Sequence, residues 1–215
     1  MVGVGILDKT RTVHCLISTE LPIDYIGKSS LMFGKKEMVQ AVLIGFFLFL
    51  ASSILLYDYF EAIRPNSLNL GIFHSSEAGF DLTLDYSFLY SILISVISVH
   101  LLHELVHGLG YLILTGEIPR VEVKGLALML TGKKDYVYKR GECLLIGVLP
   151  LILMTLLGCV CVFFVPASML PLFYMSLVLN VTGSSGDLII INWLRKYSSK
   201  SVVIEKDSMI IVYER

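Results

Sequence analysis

Four stretches of the chain, at about residues 38–57, 86–114, 143–165 and 169–194, are apolar for long enough to cross a bilayer as helices. A helix rises 1.5 Å per residue and a hydrocarbon core is about 30 Å thick, so roughly 20 residues are needed for a crossing. The rest of the sequence agrees: of 215 residues, 55% are hydrophobic and 16% charged, too apolar for an ordinary soluble domain. Lipid is the expected solvent. There every backbone polar group must be satisfied within the protein, which leaves helices as the economical way across. The expected fold is an all-α membrane protein, a bundle of four transmembrane helices with a small cytoplasmic β-hairpin. No internal repeat or low-complexity linker divides residues 1–215, so a single membrane-embedded domain is expected.

Sidedness follows from the basic residues. Sixteen of the seventeen lysines and arginines fall in residues 1–36, 115–142 and 195–215, and four crossings put these three segments on one side. The remaining one, Arg64, lies in a loop with Glu61, Glu77, Asp81 and Asp85. The positive-inside rule makes the three basic segments cytoplasmic. The expected location is therefore the cell membrane, multi-pass, with both termini in the cytoplasm. Residues 1–36 carry scattered charges and no apolar core before a cleavage site, so no removable signal peptide is expected.

Within 115–142 the pattern predicts a hairpin. Val121 to Lys124 alternates, Leu126 to Leu130 continues apolar, Lys133, Lys134 and Asp135 supply a turn, and Tyr136 to Tyr138 returns. A second hairpin is expected around Lys206, Asp207 and Ser208. The net charge of -1, and basic residues not interleaved with aromatics, exclude a nucleic-acid partner. Cys15, Cys143, Cys159 and Cys161 have neither disulfide nor metal-ligand spacing and read as apolar fillers.

The chemistry is concentrated in His103-Glu104-Leu105-Val106-His107. On a helix the two histidines stand four positions apart on one face, so both imidazoles reach one ion, and Glu104 lies beside its water. Zinc suits such nitrogen ligands, with Glu104 as general base. The motif sits inside an apolar span, where each ionisable group costs roughly 2.5 to 3.5 kcal/mol on the insertion scale and persists with a partner or a function. The competing reading is a hydrogen-bonded helix-packing cluster.

A third ligand is expected at Asp187, the one ionisable residue between Met169 and Trp193. The histidines and Asp187 both lie roughly 10 to 16 Å inside the cytoplasmic ends of their helices, at 1.5 Å per residue. The run from Gly183 to Gly186 allows an opened helix turn beside them. Asp187 could instead cap the half-helix after such a break. Asn180, seven positions earlier, could stabilise an oxyanion as a catalytic residue or simply join two helices. His100 reads as a partnered core histidine or a support to the site, and Glu142 as an interfacial residue. His14 and His74 read as solvated, and Pro150 should kink or loosen the third helix near its start.

With these residues in view, the chain from about Leu89 to Tyr213 resembles the small membrane proteins grouped as zincin peptidases, themselves similar to site-two proteases. The resemblance rests on His103 to Gly108, on the hairpin and Pro150, and on Ser185-Gly186-Asp187-Leu188. It implies that His103, His107 and Asp187 bind zinc and that Glu104 is the base. Site-two proteases have Leu-Asp-Gly at the third ligand; here the order is Gly-Asp-Leu, and no PDZ-like segment is present. The expected function is zinc-dependent intramembrane proteolysis of membrane-protein or peptide substrates near the cytoplasmic side. The rival readings are a membrane metal carrier or sensor and an inactive scaffold. A carrier has no use for a base beside the histidines and usually shows repeated halves.

Overall fold

The computed structural model describes residues 25, 28–68, 74–76, 79–81, 86–116, 118–124, 127–132, 136–206 and 209–214. Expectations for Cys15, His14 and the turns at 133–135 and 207–208 fall outside the described residues.

A strand, β1 (Lys28–Met32), leads into helix α1 (Lys35–Ile63), then β2 (His74–Ser76), β3 (Gly79–Asp81) and helix α2 (Tyr86–Thr115). Strands β4 (Arg120–Lys124), β5 (Ala127–Thr131) and β6 (Val137–Lys139) precede helix α3 (Arg140–Cys161). After a short 3-10 turn come helices α4 (Leu170–Gly183) and α5 (Ser185–Leu194), then strands β7 (Val202–Lys206) and β8 (Met209–Tyr213). Four helices are long and apolar enough to span a membrane, α4 and α5 with the preceding turn making one of them. The fold is thus mostly helical, the build of a multi-pass membrane protein. Many large apolar side chains point outward, among them Val42, Phe47, Leu55, Leu105 and Ile113. Water would not tolerate so wide an exposed apolar surface, and lipid does.

Acidic side chains mark two helix starts. Glu37 Oε2 accepts the Gly34 N–H at 3.0 Å ahead of α1, and Glu142 Oε2 accepts the Lys139 N–H at 2.9 Å ahead of α3. Each satisfies a donor that has no partner within the helix. Glu142 is therefore a helix-start residue, in keeping with its interfacial reading.

The α4–α5 pair is the pillar of the bundle: α4 packs against α1, α2 and α3, and α5 against α1 and α3. Gly158 lets α3 and α4 approach closely, because a Cβ there would collide with the Leu177 side chain. The core divides in two. Leu56, Phe60, Val162, Leu170, Tyr174 and Val178 form one cluster; Tyr138, Leu194, Val203 and Val212 form the other, where strands meet helix ends.

Two expectations require correction. The opened turn expected from Gly183 to Gly186 is a break at one residue, Ser184, with φ -68° and ψ 0°. Backbone hydrogen bonds continue across it, from Ser184 N–H to Asn180 C=O at 3.1 Å and from Leu188 N–H to Ser184 C=O at 3.0 Å. The Ser184 hydroxyl adds a bond to the same Asn180 carbonyl at 2.9 Å, so an apolar bundle is spared unpaired backbone groups.

The single cytoplasmic hairpin is also too simple. β4 pairs antiparallel with β5, Lys124 opposite Ala127, so the partner of β4 is the apolar run that follows it and not the segment at 136–138. The returning segment pairs elsewhere: β6 joins β7, Val137 opposite Ile204, in a four-stranded antiparallel sheet of order β1-β8-β7-β6. The C-terminal hairpin β7–β8 is present, and β1 extends it. All three basic segments thus contribute strands to one sheet.

Candidate metal centre

Helix α2 is apolar on most of its surface and concentrates its ionisable groups in two turns. His103 is 9% exposed, and its ring stands 4.9 Å from that of His107, centroid to centroid, with the planes at 74°. Asp187 reaches them from the first turn of α5, just past the break at Ser184. His103 Nε2 lies 3.0 Å from Asp187 Oδ2, and His107 Nε2 lies 3.5 Å from Oδ1. The side chain of Asp187 therefore joins the histidines and does not cap the helix. One ligand atom from each of the three lies within 4.8 Å of the others, the one such group among the described residues.

These residues fit zinc. Tetrahedral ligands at about 2.0 to 2.1 Å from an ion stand about 3.3 Å from one another, and the observed 3.0 and 3.5 Å bracket that spacing. The imidazoles are also turned correctly. His103 Nδ1 lies 3.2 Å from Asn180 Oδ1, and His107 Nδ1 lies 3.1 Å from the Ile146 carbonyl oxygen. Both oxygens are acceptors, so each Nδ1 carries the proton and each Nε2 keeps a lone pair for a metal.

Pro150 explains why the Ile146 carbonyl is available. In a helix that oxygen would accept the N–H of residue 150, and proline has none. The sequence led to the expectation of a kinked or loosened helix; α3 continues through Pro150 without one backbone hydrogen bond, and the freed carbonyl goes to His107. Asn180 is 1% exposed and fully engaged: its amide donates to Pro150 C=O and to Thr155 Oγ1, both at 3.3 Å. Its oxygen faces His103, so the geometry gives Asn180 the work of orienting an imidazole and leaves no amide proton for an oxyanion.

Glu104 is held by the hairpin. Its Oε2 accepts the Leu130 N–H of β5 at 2.7 Å. Gly108 makes that approach possible: a Cβ there would lie 2.7 Å from Leu130 Cδ1 and 3.3 Å from Pro119 Cγ. Two cavities border the centre. One of about 140 Å³ is lined by Glu104, His107, Asp187, Leu130 and Glu205 among others. The second, of about 390 Å³, is lined by His100, His103, Glu104, Met129 and Asp187 among others. The Nε2 of His100 is buried without a hydrogen bond among the described residues. Cys143, Cys159 and Cys161 are unpaired, as fillers would be.

Sequence reasoning missed the Leu130 N–H, the Ile146 carbonyl and Glu205. Pro150, four positions after Ile146, was the signal for one of them; backbone groups and a lone glutamate in a tail strand leave none.

No curated protein and no solved structure shows significant similarity to the chain. Residues 96–202 match the family described as "Putative zincin peptidase", a segment that runs from before His103 to beyond Asp187 and takes in every contact of the centre. By that match residues 96–202 belong to the zincin peptidase family, and membership implies zinc as the ion for which His103, His107 and Asp187 are suited.

Proposed function

We propose that the chain is a zinc-dependent intramembrane metallopeptidase, similar to site-two proteases, that cleaves membrane-protein or peptide substrates near the cytoplasmic face of the cell membrane. The observation that carries this reading is the convergence of two imidazole Nε2 atoms on Asp187, beside Glu104, within a bundle of apolar helices. In this reading His103, His107 and Asp187 hold the ion. When bound, zinc supplies Lewis acidity, lowering the pKa of water to about 7 and polarising a carbonyl. Glu104 takes the proton of the attacking water and delivers it to the departing amine. Asn180 and the Ile146 carbonyl keep the imidazoles in their productive tautomers.

A peptide in a helix has its amides engaged and must be extended before it is cut. The outer edge of β5 is suited to holding such an extended segment, because the Leu130 N–H points away from β4 toward the centre, where Glu104 accepts it. A substrate strand adding to this edge would bring a carbonyl that takes the Leu130 N–H, freeing Glu104 to act on water. For sidedness, support comes from the sheet shared by the three basic segments, which belongs in the cytoplasm by the positive-inside rule.

The test is Glu104→Gln in the full chain. Cleavage of membrane peptides should fall by about a thousandfold or more, in the range of lost acid–base catalysis, while zinc content stays unchanged. Full turnover by this variant would refute the mechanism, and zinc flux into sealed vesicles, unaffected by the substitution, would favour a carrier.

A further inference from the structure

The smaller cavity is shared by the metal centre and a second carboxylate, Glu205 of β7. Most of its wall is apolar, with Leu130, Ile146, Ile190, Leu194 and Val203 contributing, and about 140 Å³ accommodates a side chain and not merely one water. Glu205 Oε2 accepts the Gly132 N–H at 3.1 Å and the Tyr111 hydroxyl at 3.4 Å. Both partners are neutral. Arg120, the basic residue that acts on it electrostatically, is engaged elsewhere: its Nε donates to Gly132 C=O at 3.1 Å and its Nη2 lies 3.8 Å from Glu122. Among the described residues no lysine or arginine forms an ion pair with Glu205.

A carboxylate withdrawn from water without a cation is costly, and a cationic ligand is what relieves it. Burial pushes the Glu205 carboxyl above its usual range, with Glu122 adding to the rise. Apolar walls leading to a carboxylate suit a side chain with a methylene stem and a charged end. The distance is suitable too, because Tyr111 stands one turn beyond His107 on α2, a rise of about 6 Å.

We infer that this cavity is a substrate subsite for a cationic group, a lysine or arginine side chain or a peptide α-amino group, and that Glu205 is the residue that selects it. The inference rests on the peptidase reading and names its substrate class: peptides positively charged within a few residues of the scissile bond. Glu205 and Glu104 also hold N–H groups two residues apart, that of Gly132 just past the end of β5 and that of Leu130 within it, so a substrate on that edge passes both.

The test uses the zinc-loaded full chain in detergent micelles. N-acetylated peptides carrying one lysine, arginine, methionine or glutamine at varied positions are compared by kcat/KM, alongside methionine peptides with a free amino terminus. The expected result is a preference of about 30-fold or more for the cationic peptides, with the ratio collapsing toward one in Glu205→Gln and inverting toward glutamate-bearing peptides in Glu205→Lys. Preference for lysine and arginine peptides identifies a side-chain subsite; preference for the free amino terminus alone identifies an α-amino subsite. Equal cleavage of all peptides, or a uniform loss in Glu205→Gln with the ratio intact, overturns the inference and leaves the peptidase reading in place. A second measurement separates the two claims: binding of the same peptides to the Glu104→Gln variant. If the native chain cleaves nothing, the peptidase reading fails, while cation-dependent binding that disappears on adding Glu205→Gln sustains the subsite and its absence overturns it.

Discussion

The two halves of this bundle use polar side chains in opposite ways. Around Phe60 and Tyr174 they close off backbone carbonyls: the Tyr59 hydroxyl donates to Cys159 C=O at 2.9 Å, Tyr174 to Ser53 C=O at 2.9 Å, and the Arg64 guanidinium to the Val165 carbonyl after α3. Around His103 and His107 the helix carbonyls and amides instead serve the imidazoles, through Ile146 and Asn180. The first arrangement holds helices together; the second fixes the direction of two lone pairs. The same chemical groups thus give stability in one place and preorganisation in the other.

Substitutions in the two regions should therefore have separable effects. The largest is expected at Asp187→Ala, which should weaken zinc binding by more than about 100-fold, read by metal analysis after dialysis against a weak chelator, with helicity by circular dichroism little changed. Phe60→Ala should do the reverse. Its ring is 1% exposed and packs edge-on against Tyr174 at 5.7 Å, so its loss should cost about 3 kcal/mol of stability in a detergent melt while zinc stoichiometry holds. A loss of zinc in that variant would merge the two regions. Pro150→Ala sharpens the distinction, because a new N–H at position 150 would compete for the Ile146 carbonyl that orients His107. Zinc affinity should drop by about 10-fold even though alanine is the better helix former; an unchanged affinity would reduce Pro150 to a packing residue.

The smallest effect concerns pH. Burial raises the Glu205 carboxyl in the folded chain above its unfolded value, so the unfolded chain releases its proton first as pH rises. Stability is fully present below the unfolded pKa and declines as pH climbs to the folded pKa. Glu205→Gln should flatten this decline in melts followed across the weakly acidic range.

What could be read from the sequence was local or fixed by scarcity. Four-residue spacing put His103 and His107 on one face of a helix, and Asp187 stood out because lipid-embedded segments hold so few charges. Depth along two helices was enough to bring them to one level. What escaped was long-range pairing. The partner of Val137 is Ile204, far along the chain, and a tyrosine-rich segment following a polar run looks the same whether it returns on its own hairpin or joins a distant one. β1 is five residues at the edge of a sheet, too short to announce itself. The role of Pro150 depended on where His107 would lie, which no pattern in α3 encodes.

In the four-stranded sheet β8 lies between β1 and β7, so the last described strand is an interior one. Cutting the chain before Met209 would strip β1 of its neighbour and leave β7, which carries Glu205, with an open flank. The stretch from Met209 to Tyr213 is thus a keystone, and its removal acts on β1 and β7 at once.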